Sequence, residues 1–97
     1  NMTAYAILNL VEVNDRNSWE EYRSGIQDVL AEFGARVIAA DPRYKVLEGE
    51  WIGVSNVIIE FPDLETANRL YDSDQYGPLL EKRLGATKGN LILMDGI

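Results

Sequence analysis

"TAYAILNLVEV", residues 3–13, is apolar on both of its alternating faces. Tyr5, Ile7, Val11 and Val13 fall on one side with Asn9 among them, while Ala4, Ala6, Leu8 and Leu10 fall on the other. Alternation with a period of two marks a strand, and a strand apolar on both faces is one covered from both sides. The chain must therefore provide two covers.

The next segment provides the first. In "NDRNSWEEYRSGIQDVLAEFG" (14–34), Trp19, Tyr22, Ile26, Val29, Leu30 and Phe33 recur at helical spacing. Ser18 followed by Glu21 has the form of a capping box, with Asp15 and Asn17 as competing caps. Gly34 is placed to end the helix.

"ARVIAAD" (35–41) reads as a second strand, stopped by Pro42, which has no N–H to give a ladder. "YKVLEGEW" (44–51) is expected to resume extended structure and turn at Gly49. "GVSNVIIEF" (53–61) is a third strand, with Val57, Ile59 and Phe61 on one face and Val54, Asn56, Ile58 and Glu60 on the other. Pro62 and Asp63 open a second helix striped by Leu64, Ala67, Leu70 and Tyr71. After a break at "DSD" (72–74), a further turn or two of helix carries Tyr76, Leu79, Leu80 and Arg83. "NLILMDG" (90–96) is the last strand. With no repeat, linker or low-complexity tract, residues 2–97 read as one domain, and Asn1 ahead of Met2 as an expression remnant.

Strand, helix, strand, strand, helix, strand is the split βαβ order of the ferredoxin-like α+β class. Right-handed crossovers put both main helices on one face of a four-stranded antiparallel sheet. The other face then lacks its cover. A second copy of the chain is expected to supply it, making a homodimer through the open sheet face.

Composition narrows the chemistry. Without cysteine there is no disulfide, thiolate nucleophile or thiolate-held metal, and without histidine no Ser-His-Asp triad or imidazole-held metal. Proton transfer would fall to carboxylate, tyrosine, lysine or water, and no cofactor or metal is expected. A net charge of −7 argues against a nucleic-acid partner, whose phosphates are bound by Lys and Arg. No run reaches the roughly 18 apolar residues of a membrane span. No basic region precedes an apolar stretch at the N-terminus, so the expected location is cytoplasmic.

"YDSDQYG" (71–77) begins like a calcium loop, with Asp72, Asp74 and Gly77 in register. Arg83 stands where a bidentate glutamate is required, and Tyr76 occupies the fifth position, so the stretch is read instead as a joint between helices. Ser73 or Asp74 caps the helix that Pro78 helps to start. Tyr71 is read as a core aromatic with its hydroxyl at the edge. Tyr76 and Arg83 share a helical face, and a guanidinium there snorkels outward, pairs with a buried carboxylate, or binds an anionic ligand.

Glu60, Asn56 and Asn9 are polar residues on otherwise apolar strand faces. In a cleft, Glu60 would be desolvated and fit to act as a general base; otherwise it pairs with Arg83 or Arg36 at a strand end. Trp51, beyond the Gly49 turn, either anchors a hairpin or stacks on a ligand at a cleft mouth.

"WEEYR" (19–23), "LEGEW" (47–51), "IIEFP" (58–62), "YDSDQY" (71–76) and "NLILMDG" (90–96), taken in order, resemble the bacterial domain of unknown function 1330, of the dimeric α/β-barrel superfamily. The resemblance spans essentially the whole chain and implies a ferredoxin-like protomer in a dimer. It implies no single reaction, since the superfamily includes cofactor-free monooxygenases, isomerases and haem enzymes. "GEWIGVSN" (49–56) departs from it in lacking an arginine just after the tryptophan.

Two functions follow as expectations. One is a homodimer binding a small organic ligand between sheet and helices, with Asn9, Asn56 and Glu60 as polar contacts, Tyr71 and Tyr76 as walls and Arg83 for an anion. If that site is catalytic, cofactor-free proton transfer or oxygenation with Glu60 as base is the expected chemistry. The other is a dimerisation or regulatory module without catalysis.

Overall fold

Both helix starts are set by aspartates. Asp15 precedes α1 (Arg16–Glu32) and accepts from the Ser18 N–H at 3.2 Å; Asp63 precedes α2 (Leu64–Tyr71) and accepts from the Thr66 N–H at 2.7 Å. Asp15 is thus the cap among the three candidates at the first helix. Gly34 adopts φ +70°, the left-handed conformation that ends a helix without a Cβ penalty.

The computed structural model describes residues 2–97; Asn1 lies outside the described residues. The strands are β1 (Ala4–Val13), β2 (Arg36–Asp41), β3 (Ser55–Phe61) and β4 (Thr87–Asp95), ordered β2-β3-β1-β4 with every pair antiparallel. α1, α2 and α3 (Gly77–Ala86) cover one face, so the Cα extents are 33 × 33 × 16 Å, one sheet under one helix layer. The ferredoxin-like expectation holds, with the second helical region split in two. The split falls at Ser73, whose hydroxyl donates to the Leu70 carbonyl at 2.7 Å and accepts from the Tyr76 N–H at 3.2 Å. α3 itself starts at Gly77, with Pro78 in its first turn, and has no side-chain cap, so neither Ser73 nor Asp74 caps it as expected.

The core lies between β1 and the helices. Ala4, Ala6, Leu8 and Leu10 are buried against Trp19, Tyr22, Ile26 and Leu30 of α1 and Ala67 and Leu70 of α2. Val13 joins this inner side, against the expectation from strict alternation. The β1–β4 register shifts between Leu10 and Glu12, and this bulge at Val11 reverses the side on which later residues fall.

A second correction concerns 44–51, which forms no strand. Residues 42–54 run as irregular chain across the open face of the sheet. The Val54 N–H donates to the Leu10 carbonyl at 2.7 Å, and the Tyr44 hydroxyl donates to the Gly53 carbonyl at 2.9 Å. Gly53 has φ +142°, and a Cβ there would come within 2.8 Å of both the Asn9 Nδ2 and the Leu10 oxygen. Only glycine permits this approach.

The Asp63 cap carries a pH signature. Its hydrogen bonds from Thr66, aided by Arg69, hold its carboxyl below the usual carboxylate range. Its stabilisation is therefore full above the unfolded value of about 3.9 and is lost as pH falls through the lower folded value. In Asp63→Asn, which keeps the acceptor without the charge, the acid-side fall in melting temperature is expected to be shallower than in the parent chain. Parallel melting curves from pH 6 to pH 2 check this.

Candidate functional site

The helix layer does not seal the sheet. Between them lies a cavity of about 270 Å³. Its floor is Ala6 and Leu8 of β1 with Leu91 and Leu93 of β4, and its walls come from Tyr22, Ile26 and Leu30 of α1 and from Leu70 and Tyr71 of α2. Leu91 and Leu93 pair with Leu8 and Ala6, so they sit on the inner side of the sheet, yet both remain 36 % exposed.

One end of the cavity is polar. Arg83, on α3, is only 6 % exposed. Its guanidinium lies over the Tyr22 ring at 5.7 Å from the centroid and donates from Nη2 to the Tyr76 hydroxyl at 3.4 Å. The Tyr22 and Tyr76 hydroxyls are 3.0 Å apart, so one donates to the other. No carboxylate among the described residues lies within 4.0 Å of Arg83. Burial is the main cause that pushes the Tyr22 hydroxyl above its ordinary value, with Tyr76 adding to it and Arg83 opposing it, so Tyr22 stays protonated. Burial works against the Arg83 charge, but the Tyr76 and Tyr22 oxygens outweigh it and the guanidinium is raised above its ordinary value.

Local sequence explains the assembly. Tyr22 stands one helical turn from Trp19, and their rings stack at 5.4 Å. The Ser73 turn drives Tyr76 inward to 3 % exposure, edge-on to Tyr22 at 6.3 Å. Arg83 follows two turns later on the same face. Tyr71 stands 45 % exposed at the rim, 5.7 Å from the Tyr76 ring, more open than a core aromatic.

The other residues singled out from the sequence lie on the opposite face of the sheet. Register aligns Asn56, Asn9 and Asn90 in one row across β3, β1 and β4. Asn90 Nδ2 donates to Asn9 Oδ1 at 3.0 Å, and Asn9 Nδ2 donates to Asn56 Oδ1 at 3.2 Å and to the Ile52 carbonyl at 2.9 Å. Trp51 Nε1 donates to the same Asn56 oxygen at 3.0 Å. The amides thus pin the 42–54 segment, with Trp51 half-exposed upon it. A wider, more open groove of about 400 Å³ runs beneath that segment between Ile7, Ile58 and Trp51.

Glu60 takes the second of the two places expected for it, paired with an arginine at a strand end. Its carboxylate pairs with Arg36 Nε at 3.2 Å, at the outer end of the open face and across the sheet from Arg83. Its side chain is 31 % exposed and lines neither the cavity nor the groove. The structure therefore brings Tyr71, Tyr76 and Arg83 together, and separately Asn9, Asn56 and Trp51, with Glu60 in neither group. Tyr22 is the site residue that the sequence reading left in the core. A tyrosine rather than phenylalanine on a buried stripe was its signal, since a buried hydroxyl requires a partner. Among the described residues, no cluster of three or more acidic side chains could hold a metal ion, and no helix is long and apolar enough to cross a membrane.

Over residues 3–97 the chain matches the family described as domain of unknown function (DUF1330). It belongs to that family. No curated protein matches the sequence. Among solved structures, a protein of unknown function from Rhodopseudomonas palustris superposes with a TM-score of 0.80 at 16 % identity, over 100 % of this chain and 85 % of that one. A dimeric ferredoxin-like protein of unknown function from Jannaschia sp. gives 0.69 at 9 % identity, over 96 % of each chain. SnoaB, a cofactor-independent oxygenase from Streptomyces nogalater, gives 0.60 at 11 % identity, over 96 % of this chain and 89 % of that one. What the DUF1330 chain shares with these proteins is the ferredoxin-like fold.

Proposed function

We propose that the protein is a homodimer that binds a small organic molecule in the cavity between its helices and its sheet. The observation that carries this reading is the inner sheet face itself, where Leu91 and Leu93 stay partly exposed above an unfilled apolar space that ends at a buried guanidinium. Protein interiors close-pack, so a space of this size with convergent polar groups at one end has the character of a binding site. The dimer rests on the apolar open face and on the dimeric assembly of the Jannaschia relative.

Binding is favoured over catalysis by the titratable lining, which consists of Tyr22, Tyr71, Tyr76 and Arg83. Tyr22 is raised and Arg83 stays charged, so neither serves as a base near neutrality. The cofactor-free oxygenase activity printed for SnoaB comes to this chain only through a shared fold. A second reading, a dimerisation or regulatory module without a ligand, is favoured by the open face, where Glu60–Arg36 and the asparagine row satisfy one another.

Thermal-shift screening of metabolite-sized compounds separates the two. A ligand at 100 times its dissociation constant stabilises by about 2.7 kcal/mol. Such a rise is expected in the parent chain and not in Leu93→Trp, which fills the cavity. If no compound raises the melting temperature, or if Leu93→Trp responds equally, the cavity is not the site.

A further inference from the structure

Resting on the reading of the cavity as a ligand site, we infer that its ligand is an organic monoanion, a carboxylate on an apolar body, with its charged end on Arg83.

The chain carries nine Lys and Arg against 16 Asp and Glu, so cations have carboxylates close at hand. Arg16, Arg23, Arg36, Arg43, Lys82 and Lys88 each pair with one at or near the surface, while Lys45 and Arg69 are in no such pair among the described residues. Arg83, the buried one, has no such partner. A guanidinium offers five N–H donors in a planar fork. Only one hydrogen bond is made here, at 3.4 Å. Among the described residues no fully buried polar side-chain atom lacks a partner, so the unbonded donors of Arg83 are not fully buried, and Arg83 itself lines the cavity. A cation–π contact with Tyr22 offsets part of the cost of holding this charge under the helices.

The tyrosines refine the chemistry. Their hydroxyls share one hydrogen bond, which leaves the other O–H proton of the pair free to donate. A ligand arriving at this end meets donors and positive charge, the complement of a planar oxyanion. Apart from Asn68 and Tyr71 the remaining lining is apolar, and none of it is cationic, so a second negative charge would be desolvated without a counter-charge. One charge fits and two do not. The volume of about 270 Å³ lies at the small end of ligand pockets, which run from about 300 to 1,000 Å³.

The test compares 3-phenylpropionate with its neutral isostere 3-phenylpropanamide and with phenyl phosphate, followed by amide chemical shifts of the full chain. The carboxylate is expected to bind at least roughly tenfold more tightly than either of the others, a margin suited to one charge-assisted fork. Arg83→Met is expected to bring carboxylate and carboxamide within about twofold of each other. Because that variant removes a buried partner of two tyrosines, Tyr76→Phe is the companion, expected to narrow the gap between carboxylate and carboxamide. Equal binding of carboxylate and carboxamide to the parent chain overturns the anion assignment and leaves the cavity as a site. Phenyl phosphate binding as tightly as the carboxylate overturns the restriction to one charge. If none of the three shifts cavity resonances, the site reading fails and this inference with it.

Discussion

Ile92→Asp is expected to leave a folded monomer where the parent chain is expected to be a dimer. Register sets Ile58, Ile7 and Ile92 in one row across β3, β1 and β4, on the face the helices do not cover. Ile92 is 52 % exposed in the single chain, so an aspartate there meets water and the protomer's stability changes little. In the proposed dimer the same carboxylate would be buried without a counter-charge, at a cost of about 3–5 kcal/mol. That corresponds to association weaker by roughly 150- to 5,000-fold. Light scattering at micromolar concentration reads the outcome directly, with circular dichroism as the check on folding. A monomeric parent chain at that concentration, or an intact dimer of Ile92→Asp, removes the open face from the interface. Each chain carries a net charge of −7, so the parent dimer is also expected to tighten with salt as like charges are screened.

Leu30→Ala is expected to lower stability by about 2–5 kcal/mol, towards the upper end of that range. Leu30 is 2 % exposed in the last turn of α1 and forms part of the cavity wall. The cost of truncating a buried leucine depends on how far its surroundings collapse into the space. Here the space left behind joins an existing cavity, and the neighbouring Ile26 and Leu70 already hold their positions around it. For a domain of this size each kcal/mol moves the melting temperature by about 4–8 °C, so a drop beyond about 10 °C is expected. The enlarged cavity should also accept bulkier apolar probes than the parent chain does. A melting temperature within 2–3 °C of the parent would mean that the interior around Leu30 closes up, contrary to the packing described.

The fold was legible because its signals are local and periodic. The two-sided apolarity of 3–13, the helical stripe from Trp19 to Phe33 and the Pro62–Asp63 start each point to one element. Two departures have local physical causes that periodicity does not register. The bulge at Val11 moves Val13 to the inner side, and residues 42–54 are held by side-chain amides and by Gly53 rather than by a ladder. The site was legible residue by residue but not as an arrangement. Tyr71, Tyr76 and Arg83 share a helical face and do meet at the cavity. Glu60, Asn9 and Asn56 were placed correctly on their strand faces, yet a sheet has two sides. Which side faced the helices depended on Leu8 and Leu10 outcompeting Ile7 and Asn9 for α1, a tertiary choice between two apolar faces.

The position of β1 at the centre of the sheet also has a kinetic consequence. Its register joins Ala4 to Asp95 on one side and to Phe61 on the other. During synthesis β1 leaves the ribosome before the other three strands, and its β4 neighbour leaves after them. Until β4 arrives, one edge of a strand apolar on both sides stays unpaired, which is the kind of surface chaperones engage. Contacts between residues so distant in sequence carry a large loop-closure cost and slow the search. The finished sheet therefore forms late and cooperatively, and a chain halted before Thr87 is expected to be held by chaperones rather than to fold.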